Sequence, residues 1–223
     1  MIIVIGAEKG GVAKTRLATH IAAIAAGEGV DVVLLDTDKQ GSATSWSRIR
    51  DEENVKPRIN VLALPPNPAR EVADLAGRYE LVVVDIGAQN YRTMLECALV
   101  SDQVLVPCGA DQQEIESTLN VFGALKQIGP RHPRGAVPAA VVLTRVSPLE
   151  NAKATADLRA YFASEGVDVF KAHIANRSSW LATGRSGRAV HELRGKDRSQ
   201  KAVDEMRAVY DEIISRATQA ESV

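Results

Sequence analysis

Short apolar runs alternate with longer amphipathic stretches along the chain. The runs are rich in Val, Ile and Leu and mostly do not alternate with polar residues, which is typical of strands buried on both faces of a parallel sheet. They predict seven strands, at Ile2–Ile5, Val30–Leu35, Ile59–Leu64, Leu81–Val84, Val104–Val106, Val137–Leu143 and Val167–Phe170.

The stretches between these runs carry helix signals. In Thr15–Ala26, apolar residues recur at helical spacing and glycines follow, while Pro68–Gly77 starts with proline and ends with glycine. The β-α alternation predicts a doubly wound α/β fold, with a mostly parallel sheet and helices on both faces, as one domain over residues 1–223. Loops are predicted at Pro65–Pro68 and Pro130–Pro138. The predicted helices are Thr15–Ala26, Ser42–Asp51, Pro68–Gly77, Thr93–Val100, Ile115–Ile128, Leu149–Gly166 and Ser199–Thr218.

Composition excludes several classes of protein. The net charge is −1 over 223 residues, so any contact with nucleic acid must come from a local basic patch. Two cysteines, Cys97 and Cys108, favour a reduced cytosolic protein over a disulfide scaffold. The apolar runs are far shorter than the ~20 residues that span a bilayer, and the first residues do not form a signal peptide.

The first strand–helix junction has the layout of a phosphate-binding loop, GAEKGGVAKT from Gly6 to Thr15. We expect backbone N–H groups to surround an anion, Lys14 to reach the β- and γ-phosphates, and the Thr15 hydroxyl to hold Mg²⁺. Ala13 replaces the usual glycine, and its methyl group requires a negative φ. A glycine-rich turn without a ligand is the disfavoured alternative. The predicted nucleotide contacts here are Glu8, Lys9, Gly10, Gly11, Val12, Ala13, Lys14, Thr15 and Arg16.

Lys9 has no role in a standard loop of this kind. The pattern Lys-Gly-Gly-x-x-Lys-Thr, from Lys9 to Thr15, resembles the deviant Walker A box of the ParA/MinD family of ATPases, and the chain is most similar to its small plasmid-type partition members. The resemblance implies a P-loop ATPase with ATP and Mg²⁺ as cofactors, and catalytic roles for Lys9 and Lys14. It also implies a homodimer on ATP binding, in which Lys9 touches the nucleotide of the other subunit. A solvated loop lysine is the alternative.

Two further boxes follow the second and fourth predicted strands. Leu35–Ser42 resembles the family's Asp-x-Asp-Pro-Gln box, which implies that Asp38 positions the attacking water and Asp36 supports the magnesium region. Lys39 stands in the place of the proline, and capping of a helix is the alternative role for these aspartates. Asp85 ends an apolar strand and is interpreted as the Walker B aspartate that holds Mg²⁺ through water. Gly87-Ala88 departs from the family's Asp-x-Pro-Pro, so we expect a more flexible loop.

The later resemblance is looser. Thr144 and Arg145 lie where family members contact adenine, and Ile174 and Asn176 lie in a segment that closes over the base before a DNA-contacting region. Residues 171–201 contain eight basic and two acidic residues, which favours salt-sensitive binding of phosphates, although a solvated surface is the alternative. The candidate DNA contacts are Arg177, Arg185, Arg188 and Lys201.

Other chemistries find little support. The two cysteines are expected to be buried thiols, the four histidines lack metal-ligand spacing, and the C-terminal end lacks the large apolar residues of a membrane-binding helix, so no membrane partner is expected.

The resemblance therefore implies a cytoplasmic ATPase that associates with the nucleoid when ATP is bound. It would bind DNA non-specifically and partition plasmids or chromosomes when a ParB-type or cargo-adaptor partner stimulates hydrolysis. The alternatives are a positioning ATPase for a non-DNA cargo, a metabolic P-loop ligase or small-molecule kinase, and a non-enzymatic module that coats DNA.

Overall fold

The residues that the structure describes contain one sheet of seven strands, all paired in parallel. The computed structural model describes residues 1–64, 68–148 and 152–221. Each strand overlaps one of the predicted runs, and β2 and β4 extend by one residue to end on an aspartate. The strands are β1 (Ile2–Ile5), β2 (Val32–Asp36), β3 (Asn60–Ala63), β4 (Leu81–Asp85), β5 (Gln103–Cys108), β6 (Ala139–Val146) and β7 (Val169–Ala175).

Helices follow the strands in the predicted alternation. Every predicted helix overlaps an observed one, although positions 149–151 of the sixth prediction lie outside the described residues. Sequence reasoning missed α7, whose eight residues include a glycine, two serines and a threonine and therefore give a weak helix signal. The helices are α1 (Lys14–Gly27), α2 (Ser42–Glu52), α3 (Ala69–Ala76), α4 (Tyr91–Ala98), α5 (Gln112–Ile128), α6 (Ala152–Ser164), α7 (Ser179–Ser186) and α8 (Gln200–Glu221).

The two proline-rich points differ in how far the structure describes them. Positions 65–67 lie outside the described residues, and Pro68 precedes α3 directly. The segment Pro130–Pro138 is a loop apart from a short 3₁₀ turn at Gly129–Arg131, as predicted.

Apolar side chains cover both faces of the sheet. On β1, Ile3 and Ile5 pack with α1 and α8 on one face, whereas Ile2 and Val4 pack with α4 and α5 on the other. All four are buried, which explains why the strand sequences are continuously apolar. The predicted doubly wound α/β fold is confirmed. In the described part of the chain, no helix is long and apolar enough to cross a membrane.

The strand order gathers the motifs at one end of the sheet. The order is β3-β2-β4-β1-β5-β6-β7, so β2, β4 and β1 are direct neighbours. Asp36 at the end of β2 lies opposite Asp85 at the end of β4, which in turn pairs with Ile5 at the end of β1. Because the carboxyl ends of parallel strands lie at the same edge, the three sequence boxes come together there.

Candidate active site

The loop between β1 and α1 contains two residues in the left-handed backbone region. Gly11 and Ala13 both have a φ of +76°, and Ala13 directly precedes the first residue of α1. The expectation that Ala13 keeps a negative φ is therefore wrong. The loop turns from strand into helix through this conformation, which disfavours a side chain by about 1–2 kcal/mol.

Lys14 is held inside the site rather than in solvent. Its side chain is buried, and its Nζ donates to the carbonyl oxygen of Lys9 at 2.8 Å. Burial lowers the pKa of Lys14, while the nearby carboxylates of Asp85 and Asp38 raise it. The lysine charge therefore lies among the carboxylates of the other two boxes.

The tip of the loop is attached to α5. Lys9 Nζ donates to Gln113 Oε1 at 2.8 Å, and Ser117 Oγ donates to Glu8 Oε2 at 2.9 Å. Gln113 and Ser117 are four residues apart and thus share one face of α5. In the single chain, the Lys9 side chain is therefore bonded to α5 of the same subunit.

Asp36 shapes the loop after β2. It is buried, and its Oδ1 accepts the N–H of Asp38 at 3.0 Å. Its Oδ2 accepts from the N–H and the hydroxyl of Thr44, at 2.9 and 3.0 Å, in the first turn of α2. Asp36 thus joins the loop to the helix, while Asp38 remains half-buried at the cleft, with Oδ1 accepting the N–H of Gln40 at 3.0 Å.

Asp85 is a buried carboxylate without a hydrogen-bond donor. It is 1% exposed, and neither of its side-chain oxygens has a partner among the described residues. Burial raises the pKa of Asp85 to about 7, although the nearby Thr15 hydroxyl and Lys14 lower it. Carboxylate and hydroxyl oxygens are ligands that Mg²⁺ prefers, so Asp85 and Thr15 fit a magnesium ion. Within residues 1–64, 68–148 and 152–221, no three His, Cys, Asp or Glu side chains form a metal cluster by themselves.

Lys14, Thr15 and Asp38 line one open cleft of about 810 Å³, a size that suits a nucleotide, whereas Asp36 and Asp85 are buried and are not part of its lining. Nine predicted site residues line it: Gly10, Gly11, Ala13, Lys14, Thr15, Arg16, Asp38, Arg145 and Asn176. Sequence reasoning did not assign seven others, although most of them directly follow β2 or β4: Lys39, Gln40, Ser42, Ile86, Ala88, Gln89 and Asn90.

Other predicted contacts lie behind the cleft. Val12, Thr144 and Ile174 are each at most 1% exposed, and none of them lines the cleft. Thr144 Oγ1 donates to the carbonyl oxygen of Val12 at 3.0 Å, so it holds the phosphate loop through a buried hydrogen bond. Ile174 packs in the hydrophobic core.

Two arginines frame the cleft from different elements. Arg16 lies over the ring of Trp180, with its guanidinium carbon 5.1 Å from the ring centre. Arg145 has a φ of +56° and pairs with Glu114, which also accepts the N–H of Gly109 at 2.8 Å. Burial and, to a smaller extent, the nearby Arg145 lower the pKa of Arg16, while Glu114 balances the charge of Arg145.

A second cleft, of about 1090 Å³, lies between the connection after α2, helix α7 and the 3₁₀ turns that follow it. We call it the basic groove because five cationic side chains line it: Lys56, Arg185, Arg188, Arg194 and Arg198. Glu192 and Asp197 are the acidic residues of its lining.

The four predicted DNA contacts divide between this groove and other places. Arg185 and Arg188 line it, whereas Arg177 forms an ion pair with Glu205 at 2.5 Å and Lys201 is exposed on α8 outside it. Lys56 joins the groove from a distant part of the sequence, which local charge patterns do not reveal.

Both cysteines are buried free thiols, as expected. Burial raises the pKa of Cys97 to about 12 and that of Cys108 to about 11, so neither is a reactive thiolate at neutral pH.

Residues 3–188 match the family model described as the CobQ/CobB/MinD/ParA nucleotide-binding domain. The chain belongs to this family. It is accordingly an ATPase that uses ATP and Mg²⁺, and the ParA/MinD resemblance deduced from the sequence boxes is confirmed.

The names of curated relatives refer to chromosome partitioning and to carboxysome distribution. The chain is 23% identical to Protein ParA of Rhizobium radiobacter over 98% of both chains. It is 29% identical to the maintenance of carboxysome distribution protein A of Gloeobacter kilaueensis, over 92% of this chain and 90% of the relative. It is 26% identical to the chromosome-partitioning ATPase Soj of Thermus thermophilus, over 56% of this chain and 61% of the relative.

Solved structures share the fold. A chain of the MinC:MinD cell division protein complex of Aquifex aeolicus superposes with a TM-score of 0.71 at 18% identity, over 96% of this chain and 95% of the other. The septum site-determining protein MinD of Pyrococcus horikoshii, complexed with Mg-ADP, gives 0.69 at 17% identity over 95% of both chains.

Proposed function

We propose that this ATPase forms one domain that partitions a plasmid or chromosome by an ATP-gated cycle of DNA binding. Two ATP-bound copies pair, bind DNA without sequence preference, and separate from it after a ParB-type or adaptor partner stimulates hydrolysis. In this cycle the protein is cytoplasmic and lies on the nucleoid while ATP is bound.

The cleft, together with the buried Asp85 next to its lining residue Ile86, supplies the groups that the ATP step requires. Lys14 provides the buried cation for the phosphates, and Thr15 and Asp85 provide oxygens for Mg²⁺, whose charge stabilises the transferred phosphoryl group. Asp38 lines the same cleft and orients the attacking water. Lys9 leaves Gln113 and reaches the nucleotide of the second copy.

The remaining predicted contacts support the same site indirectly. Asp36 holds the loop of Asp38, and Thr144 holds the phosphate loop through Val12. Arg16, Arg145 and Asn176 line the cleft where the nucleoside part can bind. Glu8 keeps the loop tip on α5.

The basic groove is the observation that favours DNA as the second ligand. Arg185 and Arg194 are exposed and line it, and neither has an acidic partner within ion-pair distance among the described residues. Arg188 has only a loose pair, 3.8 Å from the half-exposed Glu53. Unpaired cations in a groove release counterions when they bind phosphates, which gives salt-sensitive binding without sequence preference.

A protein cargo is the second candidate function. The carboxysome distribution protein is 29% identical over 92% of this chain, whereas Protein ParA of Rhizobium radiobacter is 23% identical. With a protein cargo, the adaptor partner would differ, but the ATP-gated cycle would be the same. Co-purification of the ATP-bound protein with its genomic neighbours distinguishes the two cargo classes.

The direct test is binding of a random-sequence duplex, measured with ATP, with ADP and without nucleotide over a salt series. We expect binding with ATP alone, with an affinity that falls steeply as salt increases. Arg185→Ala and Arg194→Ala should each weaken binding to DNA of every sequence. Each should also reduce the slope of the logarithm of the binding constant against the logarithm of the salt concentration by about one unit per lost phosphate contact.

Arg131→Ala is the matched control, because Arg131 is an exposed arginine outside the groove. It should bind DNA as the wild type does. Binding that ignores the nucleotide, or that the two groove substitutions leave unchanged, contradicts the DNA proposal. If neither the wild type nor any variant binds DNA in any nucleotide state, the alternative of a metabolic P-loop enzyme is favoured.

A further inference from the structure

The loops that follow β2 and β4 are joined through one buried threonine. Thr37 directly follows β2 and is 6% exposed. Its N–H and its Oγ1 both donate to the carbonyl oxygen of Asp85 at 3.1 Å, and the same Oγ1 accepts the N–H of Gly87 at 3.1 Å. The Thr37 hydroxyl therefore bridges the two loops where each leaves the sheet.

Asn90 completes the connection from the other side. Its side-chain amide donates to the carbonyl oxygen of Thr37, and its N–H donates to the carbonyl oxygen of Gly87 at 2.9 Å. Both polar backbone atoms of Thr37 are thus bonded to the segment from Asp85 to Asn90. The loop that was expected to be flexible because it lacks prolines is held by hydrogen bonds instead.

This connection determines where Asp38 lies. Asp38 follows Thr37 in sequence, and Gly87 approaches its backbone so closely that a Cβ atom there would stand 3.0 Å from Asp38 Cα and 3.1 Å from Asp38 Cβ. Asp38 and Asn90 both line the cleft that contains Lys14. Movement of Thr37 away from the β4 loop would therefore carry Asp38 away from the phosphate-binding loop.

We propose that Thr37 and Asn90 are positioning residues for ATP hydrolysis, which hold Asp38 at the distance from Lys14 that water attack requires. The proposal rests on the role of Asp38 in the proposed function. A displacement of about 1 Å at a reacting group can reduce a rate about 100-fold, so two loop contacts are sufficient to control turnover. Neither residue needs to touch the nucleotide for this effect.

Thr37→Val and Thr37→Ser form a matched pair of variants. Valine keeps the shape of the side chain and removes the hydroxyl, whereas serine keeps the hydroxyl. We expect Thr37→Val to lower kcat about 10-fold or more, with the KM for ATP changed less than about 3-fold, and Thr37→Ser to keep kcat within about 3-fold of the wild type. Asn90→Leu should resemble Thr37→Val.

Thr155→Val is the control for loss of a buried threonine hydroxyl, since Thr155 is buried on α6 away from the cleft. It should leave kcat unchanged. Wild-type kcat in Thr37→Val overturns the proposal. Equal losses of kcat and of ATP affinity, or a failure of serine to restore kcat, indicate a merely structural role and also overturn it.

Asp38→Asn separates this proposal from the proposed function. If Asp38→Asn lowers kcat to a measurable residual rate, adding Thr37→Val should not lower that rate further, because both changes remove the same contribution. If Asp38→Asn hydrolyses ATP at the wild-type rate, the assigned role of Asp38 is wrong and the positioning proposal falls with it. If Asp38→Asn is inactive while Thr37→Val is fully active, the positioning proposal alone is wrong. DNA binding does not enter these readouts.

Discussion

Arg50 and Glu192 form a buried ion pair that joins α2 to the wall of the basic groove. The guanidinium of Arg50, which is 1% exposed, donates to both carboxylate oxygens of Glu192 at 2.7 Å. It also donates to the carbonyl oxygens of Gly187, at 3.1 Å, and of Pro57. Because Glu192 lines the groove and Ser42 at the start of α2 lines the nucleotide-sized cleft, the ion pair connects the two clefts through α2.

The pair makes a first prediction about stability. Glu192→Gln should lower the free energy of unfolding by about 3–5 kcal/mol, because it leaves the buried Arg50 charge without compensation. Glu52→Gln is the matched control, since its partner Arg48 is exposed on the same helix and the loss should be below about 1 kcal/mol. Urea unfolding of the three proteins measures the difference. Equal stabilities of Glu192→Gln and the wild type contradict the prediction.

The phosphate loop makes a second prediction. Gly11 and Ala13 share a φ of +76°, and a Cβ added at Gly11 would meet no atom within 4 Å. Replacing glycine by alanine, or alanine by glycine, at these positions therefore changes mainly the backbone strain of the left-handed conformation. Ala13→Gly should raise the free energy of unfolding by about 1 kcal/mol, and Gly11→Ala should lower it by about 1–2 kcal/mol. Thermal unfolding without nucleotide tests the pair, and shifts of the same sign in both variants contradict it.

His20 makes a third prediction, about pH. Its imidazole packs edge-on against Trp180, its Nδ1 bonds the carbonyl oxygen of Arg16 at 2.7 Å, and its Nε2 is buried without a partner among the described residues. Burial lowers the pKa of His20 from 6.5 to about 3, and the charges of Arg16, His191 and Arg50 contribute in the same direction.

The sign of the effect follows from this lowered pKa. Between pH 6.5 and about 3 the unfolded chain binds a proton at His20 that the folded protein does not bind. Stability is therefore complete above pH 6.5 and falls by about 1.4 kcal/mol per pH unit below it. From pH 6.5 to 4.5 the wild type should lose about 2–3 kcal/mol more than His20→Leu. If the free energy of unfolding falls equally with pH in the two proteins, His20 is not the cause of the loss of stability.

The sequence was informative wherever one segment carried the whole signal. Continuous Val and Ile runs located each strand, and glycines with Lys14 and Thr15 located the phosphate loop. Ala13 shows the limit of this approach, because its conformation is imposed by the turn into α1 and overrides the preference of alanine. The α7 helix was missed because its burial against other elements, and not its own propensity, stabilises it.

Features that join distant segments could not be predicted. Lys56 reaches the basic groove, and Thr37 meets Gly87, only because the sheet order makes β2 a neighbour of β4 and places α7 beside α2. Local charge counting likewise selected Arg177, although Glu205 from α8 neutralises it. Residues that act through tertiary contacts leave no pattern in a single sequence.

The fourth prediction concerns Lys9 and the pairing of two copies of the chain. In the single chain its Nζ is bonded to Gln113 Oε1 at 2.8 Å, so it must leave this helix to reach a second nucleotide. Lys9→Ala should bind ATP with nearly wild-type affinity and remain a monomer, because the cis contacts through Lys14 are intact. Lys126→Ala, which removes an exposed lysine elsewhere on α5, is the matched control.

The most direct measurement is the mass of the wild type, Lys9→Ala and Lys126→Ala in solution with ADP and with a non-hydrolysable ATP analogue. The ATP analogue should double the mass of the wild type and of Lys126→Ala and leave Lys9→Ala a monomer, and ADP should leave all three as monomers. An ATP-dependent dimer of Lys9→Ala, or a wild type that stays monomeric with the ATP analogue bound, contradicts the ATP-gated cycle at its first step.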